Sequence, residues 1–214
     1  DRFICAASSY LPGLTGPGQV KMGIGNKGGE FVPVRKILAM MSLLSPLASA
    51  APPTGDLEQQ ASAIANQFIA ELKPRLKQAM QEGGPGRAIE VCASAAPRIA
   101  DSLSADSGWI VRRVSLKSRN ASRSVPDHWE RDVLESFDRR QAAGEAADSL
   151  RYGELVGSHY RYMQAQGVGG LCLTCHGENL SATVSDTLEN FYPDDRATGY
   201  QAGQVRGAIS LTKQ

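Results

Sequence analysis

Apolar residues recur every three or four positions between Asp56 and Gln81. This spacing places them on one face of a helix and predicts a long amphipathic α-helix. Pro74 lies within it and should kink it, since proline cannot donate a backbone hydrogen bond. The apolar face consists of Leu57, Ala61, Ile64, Phe68, Leu72, Leu76 and Met80.

A second helix is predicted from Arg87 to Leu103, after the stretch EGGPG at 82–86 interrupts the first. Ala88, Cys92, Ala95 and Ile99 share one stripe of this helix, so Cys92 is predicted to face inward. Pro97 should bend the helix one turn beyond the cysteine. The small residues around Cys92 permit either tight helix packing or the close approach of a flat group.

Strand-like and helical segments alternate in the rest of the chain. Residues 108–120 are β-rich, and a helix is predicted to start near Ser124, which is the expected N-cap, with Asp127 three residues on. Trp129, Val133 and Phe137 form its inner face. Further predicted elements are a strand at 158–168, a helix at 185–191 and a last strand within 203–211. Helices followed by antiparallel strands indicate an α+β fold.

The first 50 residues of the sequence have a different character. Residues 1–33 carry many Gly and Pro without periodicity and are interpreted as a disordered or non-native extension. Residues 34–50 combine two basic residues, a short apolar run and the small residues Ala48-Ser49-Ala50, which is typical of a secretory signal peptide cleaved after Ala50. The alternative is a buried amphipathic helix. The remaining 51–214 are predicted to form the mature domain, exported to the periplasm.

Composition and charge narrow the possible partners. The chain has 214 residues, 42% hydrophobic and 21% charged, with a net charge of +1. Cleavage after Ala50 removes five basic and two acidic residues and leaves a net charge of −2. A nearly neutral chain without a basic stripe gives no reason to expect nucleic acid as a partner. No membrane span is expected after processing.

The segment GGLCLTCHGEN at 169–179 carries the strongest chemical signal. Two cysteines separated by two residues, followed by histidine, suit covalent haem c: Cys172 and Cys175 form the thioethers and His176 binds the iron. A structural zinc site would need further ligands, and a haem-free thioredoxin-like dithiol is a second alternative. The export signal favours one covalent haem.

The second axial position of the iron is then the open question. After cleavage, Cys92 is the cysteine left over from haem attachment. Met163 is the next candidate, because Met is a familiar partner of His in haem c. His128 is expected at a solvated helix start, and His159 is expected to share a strand face with Met163.

Five ordered motifs together resemble the PAS-like single-haem c-type protein family, the Tll-type haem-c domain. They are AIEVCASAAPRIA, VRRVSLKSRN, PDHWE, LCLTCHG and YPDDRATGYQAGQVRGAISL, and they span about 57–211. The resemblance implies a PAS-like antiparallel sheet framed by long N-terminal helices, and axial ligation by His176 and Cys92.

The 108–120 segment carries three basic side chains that could contact a haem. Arg113, Lys117 and Arg119 are candidates to pair with the haem propionates, because guanidinium and ammonium groups neutralise carboxylates. The alternative is a solvated strand face.

The predicted function is electron transfer, or redox or gas sensing, in concert with a separate redox or signalling protein. An electron carrier or sensor is favoured over an enzyme. Two other classes remain open: a peroxidase-type haem enzyme with a vacant iron face, and a haem-free thiol oxidoreductase.

Overall fold

The core of the structure is a four-stranded antiparallel sheet with the strand order β1-β4-β3-β2. The structure is a computed structural model that describes residues 54–214. The helices are α1 Thr54–Ser107, α2 His128–Ala142, α3 Gly170–His176 and α4 Ala182–Phe191. The strands are β1 Ile110–Val114, β2 Arg151–Val156, β3 His159–Gly167 and β4 Val205–Lys213, with a 3-10 turn at Ala147–Ser149.

Helix α1 contains both predicted N-terminal helices. Its backbone leaves helical geometry at Gly83 (φ −149°, ψ 16°) and Gly84 (φ 68°, ψ −162°), within the predicted break. Glycine suits position 84 because its positive φ with this ψ is essentially closed to other residues. Pro74 and Pro97 both lie inside helical stretches of α1. The break divides α1 into two arms, which are the helical stretches before Gly83 and after Gly84. The second arm carries Cys92.

The sheet separates two apolar clusters. On one face α1 packs through residues such as Phe68 and Ile99 against Trp109, Tyr162 and Leu211. On the other face α2 packs through its predicted inner residues Val133 and Phe137. The α+β class, the antiparallel sheet and the long N-terminal helix predicted from the sequence are therefore confirmed.

Three details of the sequence prediction are wrong at the level of single elements. Strand β2 was not predicted, because this edge strand is mostly exposed and lacks the alternation that marks a half-buried strand. The N-cap of α2 is Asp127 instead of Ser124, and Asp127 and Glu130 form a capping box. Helix α4 begins at Ala182, three residues before the predicted start, because Ser181 caps it.

The predicted extension at 1–33 and the signal peptide at 34–50 lie outside the described residues, as does cleavage after Ala50. Among the helices of residues 54–214, none has both the length and the apolar character that crossing a membrane requires.

Candidate functional site

The short helix α3 presents the three residues of the CxxCH motif. Cys175 and His176 lie three and four positions after Cys172, and residues at these spacings are neighbours on a helix surface. Gly177 ends the helix at a close approach of the chain, since a Cβ there would lie 2.6 Å from the carbonyl oxygen of Leu173. The glycine after the histidine therefore allows the tight turn that ends α3.

The two cysteines of α3 pack against different parts of the protein. Cys175 packs on the cluster formed by Ile89 of α1 with Val184 and Leu188 of α4. Cys172 packs on a separate cluster built around Val168, Ala197 and Tyr200. Among residues 54–214, these two cysteines and Cys92 form no disulfide with one another. Burial raises the pKa of the Cys175 thiol, so this sulfur is held in its protonated form.

The segment 196–200 fastens the end of α3 through its backbone. The amide of Gly199 donates to the carbonyl of Gly177 at 3.0 Å, and the amide of Tyr200 donates to the carbonyl of His176 at 2.9 Å. The rings of Tyr200 and His176 also meet edge to face, with centroids 6.3 Å apart. This segment therefore sets the position of the histidine backbone and ring.

The imidazole of His176 is held as a neutral ring with one nitrogen protonated. Its Nδ1 lies 2.7 Å from the carbonyl oxygen of Ala197, an acceptor, so Nδ1 carries the proton in this hydrogen bond. Burial, reinforced by the charge of Arg206, lowers the pKa of His176 to about 2. A neutral ring that donates from Nδ1 leaves Nε2 with its lone pair, which is the form of histidine that binds metals.

Arg206, at the start of β4, lies against the face of this ring. Its Nε is 3.1 Å from Nδ1 and 3.5 Å from Nε2 of His176. Nearly equal distances indicate stacking, because an in-line bond to one nitrogen would leave the other much farther away. Stacking also agrees with the Nδ1 proton being donated to Ala197. Nε2 is therefore not consumed by a hydrogen bond to Arg206.

Two cavities meet at this histidine, with volumes of about 380 Å³ and 140 Å³. The smaller one has an apolar wall from α1, including Leu72, Leu76 and Met80, and reaches Cys172 and Cys175. The larger one runs between the second arm of α1 and β1. Seven residues line both: Cys92, Arg113, Arg119, Gln166, His176, Tyr192 and Arg206. The structure thus brings Cys92 and the CxxCH motif to the wall of one cavity, the smaller of the two.

These sulfur and nitrogen atoms do not form a site for a bare metal ion. Within residues 54–214, no three His, Cys, Asp or Glu side chains converge as such an ion would require. The four side chains of Cys92, Cys172, Cys175 and His176 instead border a cavity. This arrangement suits a larger group that contacts them at separate points.

The three basic candidates are placed differently. Arg113 lines both cavities and lies over the ring of Phe68, with its guanidinium carbon 5.8 Å from the centroid. Arg119 also lines both cavities but forms a buried ion pair with Asp195 at 3.0 Å. Lys117 lines neither cavity, and its ammonium lies 4.8 Å from the centre of the Tyr200 ring. Lys117 is therefore not brought to the cavities that adjoin His176.

Met163 and the two other histidines are not brought to the site. Met163 is fully buried in the cluster under α2, on the opposite face of the sheet from α1. His159 and Met163 lie four positions apart in β3 and share a strand face as predicted, but His159 is exposed at the start of the strand while Met163 is buried. His128 is exposed and lies 3.7 Å from Asp132, four residues on in α2. The solvated position predicted for His128 is confirmed.

Sequence reasoning missed three residues that shape the site: Arg206, Tyr192 and Ala197. All three lie within the YPDDRATGYQAGQVRGAISL motif, but nothing in their spacing indicates that they come close to His176. Burial raises the pKa of Tyr192 to about 12, so its hydroxyl stays protonated beside the cavity. Only the folding of this segment over α3 brings these groups together.

The fold and the site define an α+β protein whose CxxCH helix borders a ligand-sized cavity. The sequence profile of the Tll0287-like family matches residues 52–213, and the chain belongs to this family. The crystal structure of the cyanobacterial haem protein Tll0287 has a similar fold, with a TM-score of 0.54 and 24% identity. The alignment covers 76% of this chain and 96% of that one. No curated protein matches the chain.

Proposed function

We propose that this protein binds one haem c covalently, through Cys172 and Cys175, with His176 as an axial ligand of the iron. The observation that carries the proposal is the CxxCH helix, which borders a cavity and holds a neutral His176 with its Nε2 unprotonated. Membership of the Tll0287-like family and the similarity to a cyanobacterial haem protein support it.

The lining of the cavities fits such a group. A haem has an apolar macrocycle and two carboxylates. The smaller cavity offers an apolar wall from α1, and both cavities are bordered by arginines. Because Cys172 and Cys175 rest on two separate apolar clusters, their sulfurs are held by packing on both sides of the motif. The chain thus supplies attachment, an axial nitrogen and counter-charges.

We propose Cys92 as the second axial ligand, bound as a thiolate. Cys92 comes from α1, a different element from α3, and lines the same two cavities as His176. A thiol bound to a metal is deprotonated, because the metal favours the charged form. An anionic sulfur also neutralises ferric iron better than a thioether does, so it favours the ferric state and a low potential.

If His176 and Cys92 both bind the iron, the chain provides both axial ligands. The haem would then supply reversible one-electron chemistry. We propose that the chain is a redox protein, either a carrier or a sensor of redox state or gases, that works with a separate protein partner. An enzyme of peroxidase type would need an open iron face. The predicted signal peptide supports export to the periplasm, where haem c is attached.

Coexpression with haem-c maturation machinery tests the proposal. Mass spectrometry of the denatured protein should show one haem retained, and Cys172→Ala and Cys175→Ala should each impair attachment. Met163→Leu, on the opposite face of the sheet, is the control and should retain the haem. A soluble, intact chain that carries no haem under these conditions would overturn the proposal.

Export and processing have a separate test. N-terminal sequencing of the protein recovered from the periplasm should begin at Ala51. A periplasmic protein that retains residues 35–45 would show that cleavage after Ala50 is wrong, without affecting the proposal for haem.

A further inference from the structure

Three arginines border both cavities at His176, and of these three only one has an acidic partner among residues 54–214. Arg119 donates from Nε to Asp195 Oδ1 at 3.2 Å and from a terminal nitrogen to Asp195 Oδ2 at 3.0 Å. The same terminal nitrogen donates to the carbonyl oxygens of Cys175 and Ala197. Arg119 is thus neutralised and has the role of tying segments of the chain together.

The hydrogen-bond partners of Arg206 within residues 54–214 are all neutral groups. The Nε side of Arg206 stacks on His176. One terminal nitrogen donates to Ser115 Oγ at 2.8 Å and to the carbonyl oxygen of Lys117 at 3.2 Å. Part of its surface is open to the cavity, and protein atoms enclose the rest. Burial lowers its pKa to about 10, so the guanidinium is still charged at neutral pH.

Arg113 likewise has no acidic partner in the described part of the chain. Its Nε donates to Gln166 Oε1 at 3.3 Å, and its guanidinium lies over Phe68. The acids that border the cavities are engaged elsewhere. Asp101 pairs with Arg123, and Asp148 accepts from the amide of Gly167 at 2.9 Å. Two enclosed positive charges therefore face the cavities without a carboxylate from the described part of the chain.

An enclosed charge without a counter-charge is costly, and an anionic guest removes that cost. We propose that Arg206 and Arg113 bind the two propionate carboxylates of the haem, while Arg119 and Lys117 do not. The inference rests on the proposed haem binding. A guanidinium suits this role because its planar donors match the two oxygens of a carboxylate.

A comparison of haem with its dimethyl ester tests the proposed carboxylate binding directly, because the ester has no free carboxylate. The full chain, produced without maturation machinery, is titrated with ferric haem and with its dimethyl ester, and the absorption change gives each dissociation constant. A charge-assisted hydrogen bond contributes about 1.5–3 kcal/mol, so the wild-type chain should prefer the free acid by about tenfold or more. Arg206→Gln and Arg113→Gln should each lower that preference several-fold, because each removes the partner of one of the two carboxylates.

Lys117→Gln is the matched control, because it removes a positive charge that sequence reasoning assigned to the propionates but that lies over Tyr200. It should keep the wild-type preference. If Arg206→Gln does not fold, Arg113→Gln carries the test alone, since its side chain makes fewer bonds to the protein.

Equal binding of haem and its ester by the wild-type chain would overturn this inference and leave the proposed function standing. Loss of the preference in Lys117→Gln but not in the arginine variants would also overturn it. A wild-type chain that binds neither compound, and that carries no haem after maturation, would overturn the proposed function and this inference together.

Discussion

Cys92 is the single residue whose replacement tests the proposed iron ligation most directly. In the matured protein, Cys92→Ala should keep the haem attached, because Cys172 and Cys175 are intact. It should also open the second axial position to water or carbon monoxide and raise the potential, because an anionic sulfur is lost. Absorption spectra with and without carbon monoxide, and a redox titration, measure both effects.

The control for Cys92→Ala is Met163→Leu, which conserves volume in the cluster under α2. Its spectrum should match that of the wild type. An altered spectrum in Met163→Leu with an unchanged one in Cys92→Ala would show that the iron has a different ligand.

Asp127 has a role in stability that depends on pH. Its Oδ1 accepts from the amide of Glu130 at 2.9 Å, and its Oδ2 accepts from Arg161 at 2.6 Å. Burial alone raises the pKa of Asp127, but these two partners outweigh it and lower the pKa below 3.8. The carboxylate therefore stabilises the fold above pH 3.8, and this contribution is lost as the pH falls through the lower folded-state pKa.

Asp127→Ala should lower the free energy of unfolding by about 1 kcal/mol at pH 7, because an N-cap is lost. Asp127→Asn keeps a capping oxygen without the charge. It should therefore lower the free energy of unfolding by less than Asp127→Ala does, and it should lack the loss of stability in acid that Asp127 contributes. Urea unfolding at pH 7 and below pH 4 measures both variants. Equal acid sensitivity in wild type and Asp127→Asn would contradict the assignment.

At the scale of elements, the break in α1 decides how its two arms lie against the sheet. The hydrophobic pattern predicted both arms and the stretch between them, because the arms are long and periodic and the break is rich in Gly. It did not predict β2, whose edge position leaves Tyr152 and Leu155 exposed. Edge strands lack the alternation that sequence patterns detect, so pairing with β3 is what defines this one.

Gly84 is the position at which the break depends on a single residue. A Cβ there meets nothing within 4 Å, but the φ of 68° and ψ of −162° are strained for any other residue. Gly84→Ala should therefore lower the free energy of unfolding by about 1–3 kcal/mol. Gly55→Ala, also in open space but without a positive φ, is the control and should be neutral or slightly stabilising. Equal effects of the two would show that the break carries no strain.

At the scale of the whole molecule, the ion pair between Arg119 and Asp195 joins segments far apart in sequence. Both side chains are buried, with 10% and 9% of their surfaces exposed, and Arg119 also reaches the carbonyl of Cys175. The pair therefore connects the chain after β1, the CxxCH helix and the segment before β4. Loss of the pair should therefore destabilise the fold and also weaken the contacts that position the CxxCH helix.

Asp195→Ala should lower the free energy of unfolding by about 3–5 kcal/mol, because it leaves a buried guanidinium without its counter-charge. Asp101→Ala, which breaks the exposed pair with Arg123, should change it by less than about 1 kcal/mol. Denaturant unfolding of the two variants measures the difference. A similar small effect from both would show that Arg119 is solvated and does not fasten the site.

The sequence by itself determined the α+β class, the two arms of α1, the inward face of Cys92 and the CxxCH motif. These features depend on local spacing, which a chain shows before it folds. Tertiary structure alone decided which side chains meet His176. It places the carbonyl of Ala197 at Nδ1 of His176 and the guanidinium of Arg206 against the His176 ring. It also places Met163 on the opposite face of the sheet and the ammonium of Lys117 over Tyr200. Such contacts depend on sheet pairing and on loops that return over α3, and no local pattern encodes them.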